Sequence, residues 1–420
     1  MLNRARKLDL SWLVLATAFV VIFFNSGSRM AFGVMLKPME ADLGWSRGPL
    51  SLVQTTYMVV SAFAMPVAGR LADRYGFRLV IVAFVLVMAA GAGFTGFVEA
   101  PWQLFLLYGV VFAVGSGGSN LGVMIVLVSR WFPNTPGKAN STAIAGGAIG
   151  QLVIISIVSS FLLDWGWRPS YMIIGLMIPV LSVPMVMAFL RSRPTLDKAD
   201  AAPEDREEQT VERRLPETGI SYRKVVTSRK FLTMVVMFFI CGFQDFLVST
   251  HIVAYATDQA ISPVLAGNLL AIMGVMGMLG VLVSGYLSDA FGPGKPAGLC
   301  FLIRIVTFSL VVTSNSPPAV IGFGLLYGFT FLMTAPLAPI YLTRAFGAGN
   351  LGALTGTANM VHQMAGGLGA YTGGLMFDIF GDYHSTWVLA LALSVVGVLS
   401  VLAIRDRPLL STPAPSLGKG

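Results

Sequence analysis

The sequence predicts an all-α membrane protein of twelve transmembrane helices in two six-helix bundles, and three observations lead there. The first is composition: of 420 residues, 55% are hydrophobic and only 11% charged, against roughly 25% charged in soluble domains. The second is segmentation into twelve apolar runs of about the 20 residues a helix needs to cross a bilayer. They fall near 10–36, 48–70, 79–97, 102–131, 139–163, 168–190, 230–256, 263–287, 296–313, 318–344, 350–377 and 386–404. The third is an internal repeat: Gly69-Arg70-Leu71-Ala72-Asp73-Arg74-Tyr75-Gly76 returns 216 residues later as Gly285-Tyr286-Leu287-Ser288-Asp289-Ala290-Phe291-Gly292. Leu106-Leu107-Tyr108-Gly109 likewise returns after 219 residues as Leu325-Leu326-Tyr327-Gly328. A near-constant period of half the chain marks two copies of one unit. Residues 1–190 are then the first bundle, 191–229 a charge-dense cytoplasmic linker, 230–410 the second bundle and 411–420 a loose tail.

Charge distribution sets the orientation. With an even number of spans both termini share a side, and the loops of that side hold 23 of the 28 Lys and Arg. Lys37, Arg47 and Arg168 fall in the opposite loops, and Arg29 and Arg304 lie within spans. The positive-inside rule therefore places both termini in the cytoplasm, in a multi-pass protein of the plasma (inner) membrane. The net charge of +8 is accounted for by this bias, which leaves no basic face for nucleic acid.

The basic residues Arg4, Arg6 and Lys7 precede an apolar run, as in a secretory signal, but no small-residue cleavage site ends the run and it continues to spanning length. Span 1 carries Asn25 and Arg29 on one helical face. Arg29 lies roughly 28 Å along that helix at 1.5 Å per residue. A guanidinium at this depth either snorkels to the headgroups or faces a polar interior. Lys37, further along, marks the interface better, so Arg29 reads as an inward-facing substrate contact.

The turn after span 2, with Gly69, Leu71, Asp73, Arg74, Gly76 and Arg78 at the pattern G-x-L-x-D-R-x-G-x-R, resembles the loop signature of the major facilitator superfamily, and the turn after span 8 resembles its weaker second copy. Arg29-Met30-Ala31-Phe32-Gly33-Val34, followed by Pro38 and Gly44-Trp45-Ser46-Arg47, resembles the first helix of the monocarboxylate porter-like branch, which includes the oxalate/formate antiporters. The resemblance implies alternating access by rocking bundles, with helices 1, 4, 7 and 10 lining the cavity. It implies a cytoplasmic latch in which Gly69 permits close packing and Asp73, Arg74 and Arg78 bridge the halves, with Asp289 in a weaker copy because Ala290 replaces the arginine. It also implies cavity contacts at Asn25, Arg29, Asn120, Gln244, His251, Tyr327 and Thr330, and at His362, near the place of the antiporters' eleventh-helix lysine. The branch's eighth-helix arginine is missing; Val281 stands there.

Spans 4 and 10 are interrupted at matching places, by Gly115-Ser116-Gly117-Gly118-Ser119-Asn120 and by Thr334-Ala335-Pro336-Leu337-Ala338-Pro339. Irregular backbone at membrane depth survives only where it is buried or lines a polar space, which makes such pairs pointers to a transport site. The glycines of span 5 (Gly146, Gly150) and span 11 (Gly366, Gly367, Gly369, Gly373, Gly374) read as close-packing surfaces. Span 5 lacks the Gly-Pro motif of the superfamily's drug/proton exchangers.

Span 7 is the most polar of the second half, with Gln244, Asp245, Ser249, His251 and Tyr255. A buried carboxylate is either paired or protonated, so Asp245 is expected to carry a proton, with His251 as an outer relay; the rival reading is a permanent ion pair of Asp245 with Arg29 or Arg304. Arg304, nine residues from Lys295, is expected to snorkel. No metal-protease, hydrolase or phosphate-loop motif is present, and the two cysteines, Cys241 and Cys300, do not form a structural metal pattern. The expectation is a cofactor-free, non-enzymatic monomer that moves a small organic anion, most simply a monocarboxylate, together with H+. The alternatives are an exporter of drugs or metabolites and a membrane sensor.

Overall fold

The computed structural model describes residues 2–132, 135–190, 222–346 and 351–403. Twelve helical rods account for nearly all of it: α1 (Leu2–Leu43), α2 (Arg47–Tyr75), α3 (Phe77–Thr95), α4 (Pro101–Trp131), α5 (Pro136–Trp165), α6 (Trp167–Phe189), α7 (Arg229–Asp258), α8 (Pro263–Phe291), α9 (Gly294–Thr313), α10 in two pieces (Pro317–Phe331 and Leu337–Phe346), α11 (Leu351–Phe380) and α12 (His384–Ala403). Among the described residues ten rods are long and apolar enough to cross a membrane. The other two are α10, which is cut, and α11, which is long enough but diluted by Asn359, His362, Gln363 and its glycines. Several rods outrun the apolar stretches that predicted them. Backbone bonding carries α1 through Pro38 to Leu43, since hydropathy marks where lipid ends and not where the helix does. Most of the expected linker, 191–221, and the tail lie outside the described residues. The linker's last part holds a short helix, Tyr222–Val226, before the Ser228 cap of α7.

Both halves turn the same corners. Gly76 after α2 and Gly292 after α8 have φ of +88° and +84°, and Gly166 after α5 and Gly381 after α11 have +76° and +78°. Each ends its helix with a backbone bond to the carbonyl four residues back, a left-handed geometry that glycine adopts without a Cβ clash. Packing repeats as well: α1 lies on α5, α2 on α4 and α3 on α6, while α7 lies on α11, α8 on α10 and α9 on α12. The halves meet through α2 with α11, α5 with α8, and α1 with α7. Glycines set the closest approaches. A methyl group at Gly150 would overlap the Phe23 backbone, one at Gly369 the Phe243 carbonyl, and one at Gly33 the Ser249 carbonyl.

The expected interruptions are present. α4 contains a π-helical stretch, Phe105–Phe112, and breaks at Ser119–Asn120, where Asn120 caps the next piece by accepting from the Val123 N–H at 3.2 Å. α10 breaks between Phe331 and Leu337 in a run of tight turns.

Bonds joining the halves run from mid-depth toward the side away from the Gly69–Arg78 turn. Gln151 donates to the Leu270 carbonyl at 2.7 Å and Thr55 to the Gly367 carbonyl at 2.6 Å. A methyl at Gly69, Gly285 or Gly356, near the turns, would meet nothing within 4 Å.

Candidate functional site between the halves

In the second half, the most buried helix, α7, presents Cys241, Gln244 and Asp245 to α9 and α10. Arg304 of α9 does not snorkel, contrary to the sequence expectation. It is fully buried, and its Nη2 meets Asp245 Oδ1 at 2.6 Å. The rest of the guanidinium is also bonded, Nη1 to Gln244 Oε1 at 3.0 Å and Nε to Thr330 Oγ1 at 3.2 Å, with Nη2 also reaching the Thr330 carbonyl at 3.2 Å. Tyr327 donates to Asp245 Oδ1 at 2.9 Å, and Gln244 Nε2 donates to the Ala390 carbonyl and to Ser394 Oγ. Gln244, Tyr327 and Thr330, expected as cavity contacts, are thus committed to a closed network across α7, α9, α10 and α12. A buried charge needs this many partners.

Asp245 Oδ2 faces the other way. Cys241 Sγ lies 3.3 Å from it and His362 Nε2, from α11, 3.4 Å. Cys241, Asp245 and His362 bring a thiol, a carboxylate and an imidazole within 4.8 Å of one another. The His362 side chain is 23% exposed, whereas Asp245 is 6% and Arg304 0%. Its ring sits edge-on to Phe238 and Phe246.

Arg29 lies on the opposite wall, half-buried on α1. Its Cζ stands 5.5 Å from the centroid of the same Phe246 ring, and its buried Nε has no hydrogen-bond partner. Among the described residues no carboxylate pairs with it. Tyr57 and Tyr108 are near enough to feel its charge, and Tyr108 donates to the Arg29 carbonyl at 3.2 Å. Asn25, expected beside it as a substrate contact, instead braces the break in α4 through the Ser116 carbonyl (2.8 Å) and Ser119 Oγ (3.2 Å). Arg29 and His362 therefore both border the Phe246 ring, at 5.5 Å and 6.1 Å from its centroid.

His251 is elsewhere. It is fully buried, with Nδ1 2.9 Å from Tyr383 Oη and Nε2 2.8 Å from the Ala370 carbonyl, and it belongs to the closure of the side away from the turn. Arg47 is the centre of that closure. It bonds Asp258 through Nη1 (2.6 Å) and Nη2 (3.1 Å), Glu40 through Nε (2.9 Å) and Tyr383 through Nη1 (3.1 Å), and it stacks 3.7 Å from the Phe377 centroid. Asp378 accepts from the Arg47 and Gly48 N–H groups. Burial pushes the Tyr383 phenol up from its ordinary value, against the opposing effect of Arg47, so it stays protonated and able to donate. Sequence reasoning treated Arg47 as a loop residue. The available signal was charge complementarity, since Asp258 and Asp378 stand at the ends of spans 7 and 11, on the same side as Arg47.

Among the described residues no hydrogen bond or ion pair of the turn motif joins the halves. Asp73 pairs with Arg130 of its own half at 3.1 Å, Arg74 lies over Tyr75, and Asp289 is exposed. Gly76 serves as the corner between α2 and α3.

The sequence profile of the Major Facilitator Superfamily matches residues 18–296 and again 234–419. The chain is 24% identical to monocarboxylate transporter 13 of Bos taurus, over 92% of this chain and 87% of that protein. It is 24% identical to the oxalate:formate antiporter of Oxalobacter formigenes, over 72% of this chain and 69% of that one. A crystal structure of the nucleoside transporter NupG superposes with a TM-score of 0.71 at 14% identity, covering 94% of this chain and 99% of its own.

Proposed function

Because the chain belongs to the major facilitator superfamily, we propose that it is a secondary transporter of a small organic anion, a monocarboxylate in the first place, moved together with a proton by alternating access. The observation that carries this reading is Arg29, a half-buried guanidinium between the halves with an unpartnered Nε and, among the described residues, no carboxylate of the protein against it. An unpaired cation in a water-poor space is costly unless an anion comes to it, and a guanidinium offers a carboxylate two parallel donors. Two of the relatives are named for carboxylates, which agrees with such a cargo. With both termini cytoplasmic in a plasma (inner) membrane, the closed side built on Arg47 faces outward and this conformation opens inward. The motif around Asp73 would then engage the second half when the inner side closes.

A thermal-shift screen of the purified protein against small mono- and dicarboxylates tests the ligand class, since a ligand at 100 times its Kd stabilises by about 2.7 kcal/mol. Arg29→Lys should lose most uptake into proteoliposomes while inserting normally, because lysine cannot copy the paired donors. Wild-type uptake by Arg29→Gln would place the anchor elsewhere and remove the basis of this reading.

A further inference from the structure

We propose that the coupling proton rides on His362, with Asp245 as its fixed counter-charge; this rests on the transport reading above. Sequence reasoning put the proton on Asp245 with His251 as relay, and neither is free to take that part. Asp245 gives Oδ1 to Arg304 at 2.6 Å and to Tyr327 at 2.9 Å. Protonating it would leave a fully buried guanidinium without its counter-ion. His251 has both ring nitrogens engaged on the closed side.

His362 differs from both. Among the described residues it is the one ionisable member of the Arg304–Asp245 network whose side chain is partly exposed, at 23%. It keeps Nε2 3.4 Å from the Asp245 oxygen that Arg304 does not occupy. The charged and titratable groups that face it or its partners are Asp245 and Cys241 from α7, Arg304 and Cys300 from α9, Tyr327 from α10, and Arg29 from α1 across the Phe246 ring.

That last placement supplies the coupling. In the empty carrier the uncompensated Arg29 opposes a second positive charge on His362. An anion bound at Arg29 cancels that opposition and favours the imidazolium, and linkage requires that the imidazolium favour the anion equally. Anion and proton therefore load together and leave together. Asp245, held by Arg304, stays charged throughout and makes the imidazolium tolerable at this depth.

The chain has three histidines, so 15N-histidine NMR can follow each one in nanodiscs without knowledge of the substrate. His384, exposed at the start of α12, is assigned with H384Q, and the other two imidazoles with H362Q or H251Q, whichever folds. The expected result is that His362 is imidazolium at about pH 5 and gives up its proton at a higher pH than it does in D245N, while His251 stays neutral at that pH. A His362 that stays neutral at pH 5, or that titrates unchanged in D245N, overturns the proposal; if D245N does not fold, the wild-type titration decides alone. In proteoliposomes, with L-lactate as probe, H362Q should lose accumulation driven by a pH gradient and keep counterflow of the same order as wild type. Gradient-driven accumulation retained by H362Q also overturns the proposal. If the wild-type protein shows no lactate counterflow, the monocarboxylate reading fails, and the NMR result still decides whether His362 takes the proton.

Discussion

Replacing Arg304 with methionine would leave the Asp245 carboxylate enclosed with only Tyr327, Cys241 and His362 around it. Breaking one side of a buried pair costs about 3–5 kcal/mol, whereas replacing both partners with apolar residues is often close to neutral. Arg304→Met should lower the unfolding temperature of the detergent-solubilised protein clearly, and the double variant Arg304→Met/Asp245→Leu should recover much of the loss. A single variant as stable as wild type would show the pair to be dispensable. The two intramembrane arginines were not equally legible. Arg29 lies deep in a long apolar run, with a better interface residue beyond it, so depth alone argued for an inward role. For Arg304 depth was ambiguous. What decides between lipid and interior is the face of α9 on which it sits, and only the position of Asp245 on a distant stretch of chain reveals that. Gln244, Tyr327 and Thr330 have protein partners in this conformation, which hydropathy could not show: it identifies a polar residue in a span and says nothing about what bonds to it.

At the scale of helices, the breaks in α4 and α10 were readable because Gly runs and paired prolines act on the backbone directly, through propensity and a missing donor. What the breaks do was less readable: Asn25 and Asn120 serve the one in α4, and the Thr330 carbonyl at the one in α10 serves Arg304. Close packing was readable too, and it separates two glycines sharply. A methyl at Gly150 would overlap the Phe23 backbone, whereas one at Gly69 meets nothing. Gly150→Ala should therefore destabilise by about 1–3 kcal/mol, the usual range for overpacking, as a lowered midpoint in thermal unfolding. Gly69→Ala should leave that midpoint unchanged and slow transport if the turn packs tightly when the inner side closes. Equal midpoints for Gly150→Ala and wild type would mean that α1 and α5 can move apart at little cost.

Across the whole molecule, the two-half architecture was legible from a turn of eight residues because repetition constrains backbone and not merely composition. The conformational state was not, since it depends on long-range pairs such as Arg47 with Asp258. Arg47→Gln keeps part of the hydrogen bonding but loses the charge that gathers Asp258 and Glu40, so the far side should open more often. A cysteine placed at Ser51, buried beneath this closure, should then react faster with a membrane-impermeant thiol reagent added from that side. An unchanged rate would show that the helix contacts alone keep the side shut.

The glycine corners, identical in the two halves, have a further consequence. Gly76 and Gly292, and Gly166 and Gly381, fix the same path twice, so the side chains hung on that path were free to diverge into a division of labour. The first copy keeps an unanswered positive charge at Arg29 and the full charged turn at Asp73-Arg74. The second has lost the arginine of its turn to Ala290 and has instead gathered Asp245, Arg304 and His362 into a self-contained circuit. On the proposed reading one half would hold the anion and the other the proton, so that coupling would depend on the seam between them.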